Sequence, residues 1–91
     1  MHTAEQKQKL ILRVRRIRGQ IEAIERALAD EKDCSDLLQL ITAARGAMNG
    51  LMAELLEDHV RFHVLDPARK ATSEQAIAAD ELIEMVRSYL K

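Results

Sequence analysis

Cysteine, proline and aromatic residues are scarce in this sequence: one cysteine, one proline, one phenylalanine, one tyrosine and no tryptophan. A lone cysteine excludes an internal disulfide. With no signal-peptide pattern, a lone thiol also fits a reducing, cytoplasmic setting. Phe62 and Tyr89 alone offer no stacking platform for single-stranded nucleic acid. No apolar run approaches the roughly 18 to 20 residues of a membrane helix, so no membrane partner is expected. There is no Ser/His/Asp arrangement, no carboxylate pair in a plausible cleft and no Gly-rich phosphate loop. An enzyme and an organic cofactor are therefore not expected.

The 91 residues are read as a single domain, 1–91. A domain of this size buries a modest share of its surface. With disulfides excluded, extra stability has two sources, a partner chain and a metal. The net charge of −1 is unevenly divided. Residues 1–20 hold Lys7, Lys9, Arg13, Arg15, Arg16 and Arg18 against Glu5 alone, a balance of +5, so the other 71 residues sum to −6. A basic first helix on an acidic body points to a polyanion met by one surface, and the acidic remainder opposes indiscriminate adhesion.

The periodicity is helical throughout. Leu10, Val14, Ile17, Ile21, Ile24 and Leu28 form a heptad seam, predicting an amphipathic helix over about 4–29. Asp30 to Asp33 breaks it, and Asp33 is a suitable N-cap for a second helix with Asp36 at its positive end. That helix is expected to run to about His63, with a broad apolar face from Leu37 to Leu56. At about 1.5 Å per residue it spans roughly 45 Å, longer than a compact domain of this size is across. One protomer cannot cover its apolar face, so two protomers are expected to pair. Val64 to Ala71, containing Pro67, reads as a loop. Thr72 and Gln75 form a capping box opening a third helix, with Leu82, Val86 and Tyr89 as its apolar stripe.

His59 and His63, four residues apart, share one face of a regular helix and can converge on one ion. Cys34, at the start of the same helix, is placed where the thiolate is favoured. Some 25 residues of straight helix separate Cys34 from His59, roughly 37 Å, so one chain cannot bring them together. Two chains can. If the second helices run antiparallel in a dimer, Cys34 meets the partner's His59 and His63 when the crossing falls near positions 46.5 to 48.5, beside Gly46, Asn49 and Gly50. Glycine within a helix costs about 1 kcal/mol against alanine, so a close backbone approach, or room for a neighbouring side chain, is expected there. His2 adds a third imidazole on an N-terminal arm. One sulfur and three imidazoles suit Ni(II), Co(II) or Zn(II) better than Cu(I).

The stretch Arg13-Val-Arg-Arg-Ile-Arg-Gly-Gln20, the central Ala43-Ala-Arg-Gly-Ala-Met-Asn-Gly-Leu-Met52, and the cysteine and histidines at either end of the second helix resemble the CsoR/RcnR/FrmR family of bacterial repressors over nearly the whole chain. The resemblance implies an all-α, three-helix protomer, an antiparallel four-helix-bundle dimer and a disc-shaped tetramer that binds operator DNA without a helix-turn-helix. It implies a ligand set of His2, Cys34, His59 and His63, similar to the nickel/cobalt-sensing branch. Copper sensors carry cysteine in place of His63, and formaldehyde sensors use an N-terminal proline where this chain begins Met1-His2. The nickel/cobalt branch has a carboxylate before its last histidine, whereas this chain has Phe62, which bears on coordination number and on the choice among Ni(II), Co(II) and Zn(II).

On DNA, Arg13, Arg16 and Gln20 form one stripe with Lys9 a turn earlier. Arg15 and Arg18 occupy an adjacent face, and Arg45 matches another basic position of the family. Most are expected to neutralise phosphates. The expected function is a repressor that holds operator DNA in the metal-free form and leaves it on binding Ni(II) or Co(II). The rival is a formaldehyde-responsive repressor with Cys34 as nucleophile.

Overall fold

The structure, a computed structural model, describes residues 3–64 and 71–90, with His63 and Val64 described in their backbone alone. The fold is all-α: α1 (Ala4–Ala29), α2 (Cys34–His59), a π-helical turn (Val60–Val64) and α3 (Ser73–Tyr89). No strand occurs among the described residues. The region around Pro67 expected to be a loop lies largely outside the described residues. Two compact units divide the chain, Met1–Leu51 and Met52–Lys91, and α2 runs from the first into the second.

Local chemistry sets each boundary. Thr3, in extended conformation, caps α1 by accepting a hydrogen bond at its hydroxyl from the Gln6 amide at 3.0 Å. At the other end the Lys32 amide donates to Ala27 O (3.0 Å) and the Glu31 amide to Leu28 O (3.2 Å), the paired bonds of a Schellman motif. The left-handed position of that motif is filled by Glu31, at φ 54°, where glycine is the usual occupant. The Leu37 amide then donates to Asp33 O and opens α2. Thr72 and Gln75 make the expected capping box, with both reciprocal bonds present (3.0 and 3.1 Å).

Two expectations about helix regularity are corrected. Regular α-helix was predicted to His63, but it ends at His59 and the last turn is π-helical. Val60-Arg-Phe-His-Val64 is composed mainly of β-branched and aromatic residues, which lose side-chain freedom against the preceding turn and hold α-geometry weakly. On α3 the buried positions are Ala79 and Ile83, whereas Leu82 is 45% and Tyr89 84% exposed. The face turned to the core is thus centred on Ala79 and Ile83, with Val86 half-buried beside it. Val60, Ala79 and Ile83 form the apolar centre of the second unit.

In the first unit the α1 seam splits. Leu10 and Ile17 are buried, while the alternate members Val14, Ile21 and Leu28 are about half exposed or more. Among the described residues eight apolar side chains are buried, four of them alanines, and no large side chain is fully enclosed. Such a core is thin for an isolated protomer. Large exposed apolar side chains are numerous and aligned, as the seam on α2 shows.

Candidate effector site and nucleic-acid interface

Cys34 is the first residue of α2 and His59 its last, and both are exposed. Between them Leu38, Ile41, Arg45, Met48, Met52 and Leu55 follow at intervals of three and four residues, and all are exposed. At about 100° per residue these eight positions fall within one helix face. Cysteine and histidine thus terminate the two ends of one apolar seam, with Arg45 near its middle. Among the described residues no three His, Cys, Asp or Glu side chains are gathered to hold a metal.

His63 lies in the π-helical turn. Hydrogen bonding in such a turn spans five residues, so four residues fall short of a full turn instead of overshooting it. Four residues miss a full turn by a similar small angle in either geometry, so the backbone leaves His63 on the same side as His59. His2 lies outside the described residues.

The basic positions distribute as follows. Lys9, Arg15 and Arg16 on α1 are exposed and Arg13 is half-buried, while Arg45 is exposed on the α2 seam. Arg13 and Arg16 come together with Ile17, Gly46, Ala47 and Gly50 around a cavity of about 140 Å³ in the first unit. Lys9, Arg15 and Arg45 do not line it. A Cβ added to Gly50 would stand 3.1 Å from Arg13 Nη1, while one added to Gly46 meets nothing within 4 Å. Of the two reasons anticipated for these glycines, room for a side chain is the one seen within the protomer at Gly50. Gln20 Oε1 is buried without a hydrogen-bond partner, an acceptor that an incoming donor can satisfy.

Sequence reasoning missed the ionic cluster of the second unit. Arg61 Nε donates to Glu57 Oε1 at 3.5 Å and its Nη2 to Asp80 Oδ1 at 3.0 Å, while Arg87 Nη2 donates to Glu57 Oε2. The four-residue spacing of Glu57 and Arg61 was a readable signal. The hydrogen bond from Arg87 is the chief reason the Glu57 carboxyl is held below its ordinary range, with Arg61 adding to it and partial burial opposing it. The Arg61 guanidinium is correspondingly held more firmly protonated, by Asp80 first and Glu57 after it. Beside Glu57 an apolar hollow of about 160 Å³ is lined also by Ala53, Leu56, Val60, Leu82, Ile83 and Val86.

Helices throughout the described residues, a basic first helix, and a thiol and an imidazole at the ends of an exposed apolar seam have the character of a ligand-responsive DNA regulator. Comparison with known proteins agrees. Residues 6–88 match the family described as metal-sensitive transcriptional repressor. The chain is 50% identical over 91 residues to an uncharacterized protein in the bioA 5′ region of Serratia marcescens, covering 99% of this chain and 98% of that one. It is 37% identical over 90 residues to the transcriptional repressor RcnR of Salmonella paratyphi B, covering 99% and 98%. Among solved structures, a glutamate-to-histidine variant of the formaldehyde-responsive regulator FrmR from Salmonella enterica serovar Typhimurium superposes with a TM-score of 0.70 at 43% identity, over 98% of this chain and 99% of that one. The chain belongs to the metal-sensitive transcriptional repressors, the CsoR/RcnR/FrmR family. It is a transcriptional repressor and not an enzyme. Among the described residues no helix is long and apolar enough to cross a membrane.

Proposed function

We propose that residues 1–91 act as one cytoplasmic DNA-binding and effector-sensing domain, which represses as a homo-oligomer and releases its operator on binding Ni(II) or Co(II). The observation that carries this reading is the α2 seam. Reversed about position 46.5, it maps onto itself: Cys34 falls opposite His59, Leu38 opposite Leu55, Ile41 opposite Met52 and Arg45 opposite Met48. An antiparallel pairing of two copies of α2 therefore covers the exposed apolar side chains and places the thiol of each protomer beside the partner's imidazole. Two-fold symmetry duplicates the site at each end. The assembly extends from this dimer to a tetramer.

Cys34 from one chain, with His59 and His63 of its partner and His2 on the N-terminal arm, makes a mixed sulfur and nitrogen donor set. Such a set suits borderline divalent ions: Ni(II), Co(II), and Zn(II) as a further possibility. Lys9, Arg13, Arg15 and Arg16 neutralise duplex phosphates, and Gln20 contributes an amide to the groove. Coupling requires that the effector bind the DNA-free arrangement more tightly than the DNA-bound one, and the effect is then reciprocal.

The test is titration of the reduced protein with Co(II), alongside Cys34→Ala and His63→Ala, with operator binding followed in parallel. The expected result is a thiolate-to-cobalt charge-transfer band absent from Cys34→Ala, weakened in His63→Ala, and accompanied by loss of operator affinity. The rival reading rests on the exposure of Cys34 at the opening of α2 and on likeness to a formaldehyde-responsive protein. Operator release by formaldehyde, dependent on Cys34 and indifferent to His63, with no cobalt band, would establish that reading instead.

A further inference from the structure

Two features of the first unit have no role in the effector site. One is the pair of glycines, Gly46 and Gly50, inside α2. The other is the cavity of about 140 Å³ they share with Arg13 and Arg16. Glycine weakens a helix relative to alanine because it leaves the unfolded chain more freedom. Alanine at Gly46 would improve the helix and displace nothing, since no atom stands within 4 Å of the added carbon. Helix stability and internal packing therefore give no reason for glycine there. Gly46 also lies about 100° around the helix from Arg45, off the Cys34-to-His59 seam, so pairing of α2 with a second copy gives no reason either.

The cavity itself supplies one. From α1 it is lined by Arg13 and Arg16, three residues apart and so neighbours on one face of that helix. From α2 it is lined by Ala47 and by Gly46 and Gly50, which are four residues apart and so on one face of that helix. None of the six lining residues is acidic. Two arginines lining a concave space whose lining residues include no carboxylate favour an anion there, and guanidinium geometry matches a phosphate with paired hydrogen bonds. At Gly50 the missing side chain has a separate effect. The 3.1 Å separation from Arg13 Nη1 is tighter than most methyl contacts, so an alanine there would push the end of the Arg13 side chain aside by a few tenths of an ångström.

We infer that Gly46 and Gly50 are positioning residues for DNA binding: they keep open a slot between α1 and α2 that receives one backbone phosphate of the operator between Arg13 and Arg16. Gly46 leaves room for the phosphate, and Gly50 sets the course of Arg13. The inference rests on the proposed use of α1 as the DNA face and adds to it the shape of the anion site.

The experiment compares wild type, Gly46→Ala, Gly46→Leu and Arg16→Ala in the full-length protein. The readings are operator affinity over a range of salt, thermal midpoint and Co(II) affinity. For Gly46→Leu the expected result is a thermal midpoint at or above wild type, unchanged Co(II) affinity, operator affinity lower by about tenfold or more, and a salt slope shallower by about one for each phosphate lost. Gly46→Ala should move in the same direction by less. Arg16→Ala should weaken operator binding without raising the thermal midpoint. Wild-type affinity and slope in Gly46→Leu, while Arg16→Ala binds weakly, would overturn the slot and leave the DNA face intact. Wild-type binding by Arg16→Ala would remove α1 from the interface and the slot with it. Inorganic phosphate titrated into DNA-free protein separates a third outcome: heat of binding abolished by Gly46→Leu, with operator affinity kept, would assign the slot to a free anion and overturn the inference.

Discussion

Arg87 on α3 donates its Nη2 to Glu57 Oε2 near the end of α2, joining residues 30 apart in sequence. The same carboxylate accepts from Arg61, which also reaches Asp80 on α3. Glu57 is thus the hub through which α3 is tied ionically to the segment carrying His59. Both arginines are about half exposed, so solvent screening limits each pair to the range of surface ion pairs. Glu57→Gln should cost about 1 kcal/mol of folding stability, summed over two pairs of 0.2 to 1 kcal/mol each. A urea denaturation series measures it, and a midpoint equal to wild type would show that the cluster contributes nothing net.

The pH dependence follows from the same carboxyl. Its folded-state pKa lies below the ordinary value. The contribution is therefore fully present above the unfolded-state pKa and is lost as pH falls through the lower, folded one. Stability measured from neutral pH downward should decline more steeply in acid for wild type than for Glu57→Gln. Parallel curves would remove Glu57 from the acid response.

Glu31 occupies the left-handed position that ends α1. A side chain there crowds the following carbonyl, whereas glycine adopts the conformation freely but is more costly to order. The net effect of Glu31→Gly should be a gain of up to about 1 kcal/mol. Thermal denaturation checks the sign, and a loss of stability would mean that the Glu31 side chain makes a compensating contact in the assembled protein.

Cross-protomer ligation predicts complementation. Cys34→Ala and His59→Ala should each lose the cobalt charge-transfer band. A heterodimer of the two retains one intact site, so unfolding and refolding an equimolar mixture should restore about one quarter of the wild-type band, given random pairing of two-fold dimers. No recovery, from refolded and dimeric protein, would place both ligands on the same chain or exclude one of them.

Helix number, the bounds of α1 and the capping box of α3 were legible in the residues. Heptad spacing, Thr72 with Gln75, and the Asp30 to Asp33 break each act within a few residues along the chain, so local chemistry decides them. The candidate ligands were legible for a related reason. Cysteine and histidine are few, and three- and four-residue spacing alone shows that Cys34 and His59 share a face of α2.

What lay outside local reach was decided by tertiary structure. Half of the α1 seam turned out exposed, and of the α3 stripe Val86 is half-buried while Leu82 and Tyr89 are exposed and Ala79 and Ile83 are buried, because packing distance and neighbouring shape select among apolar residues that periodicity treats alike. The last turn of α2 became π-helical where β-branched residues meet the α3 packing. The closeness of Arg13 to Gly50, and of Glu57 to Arg87, joins residues more than two dozen positions apart. Sequence alone determined which helices form and which residues can do chemistry; only the folded chain decided which of them meet, since contact between distant segments depends on how whole helices pack and not on spacing within one.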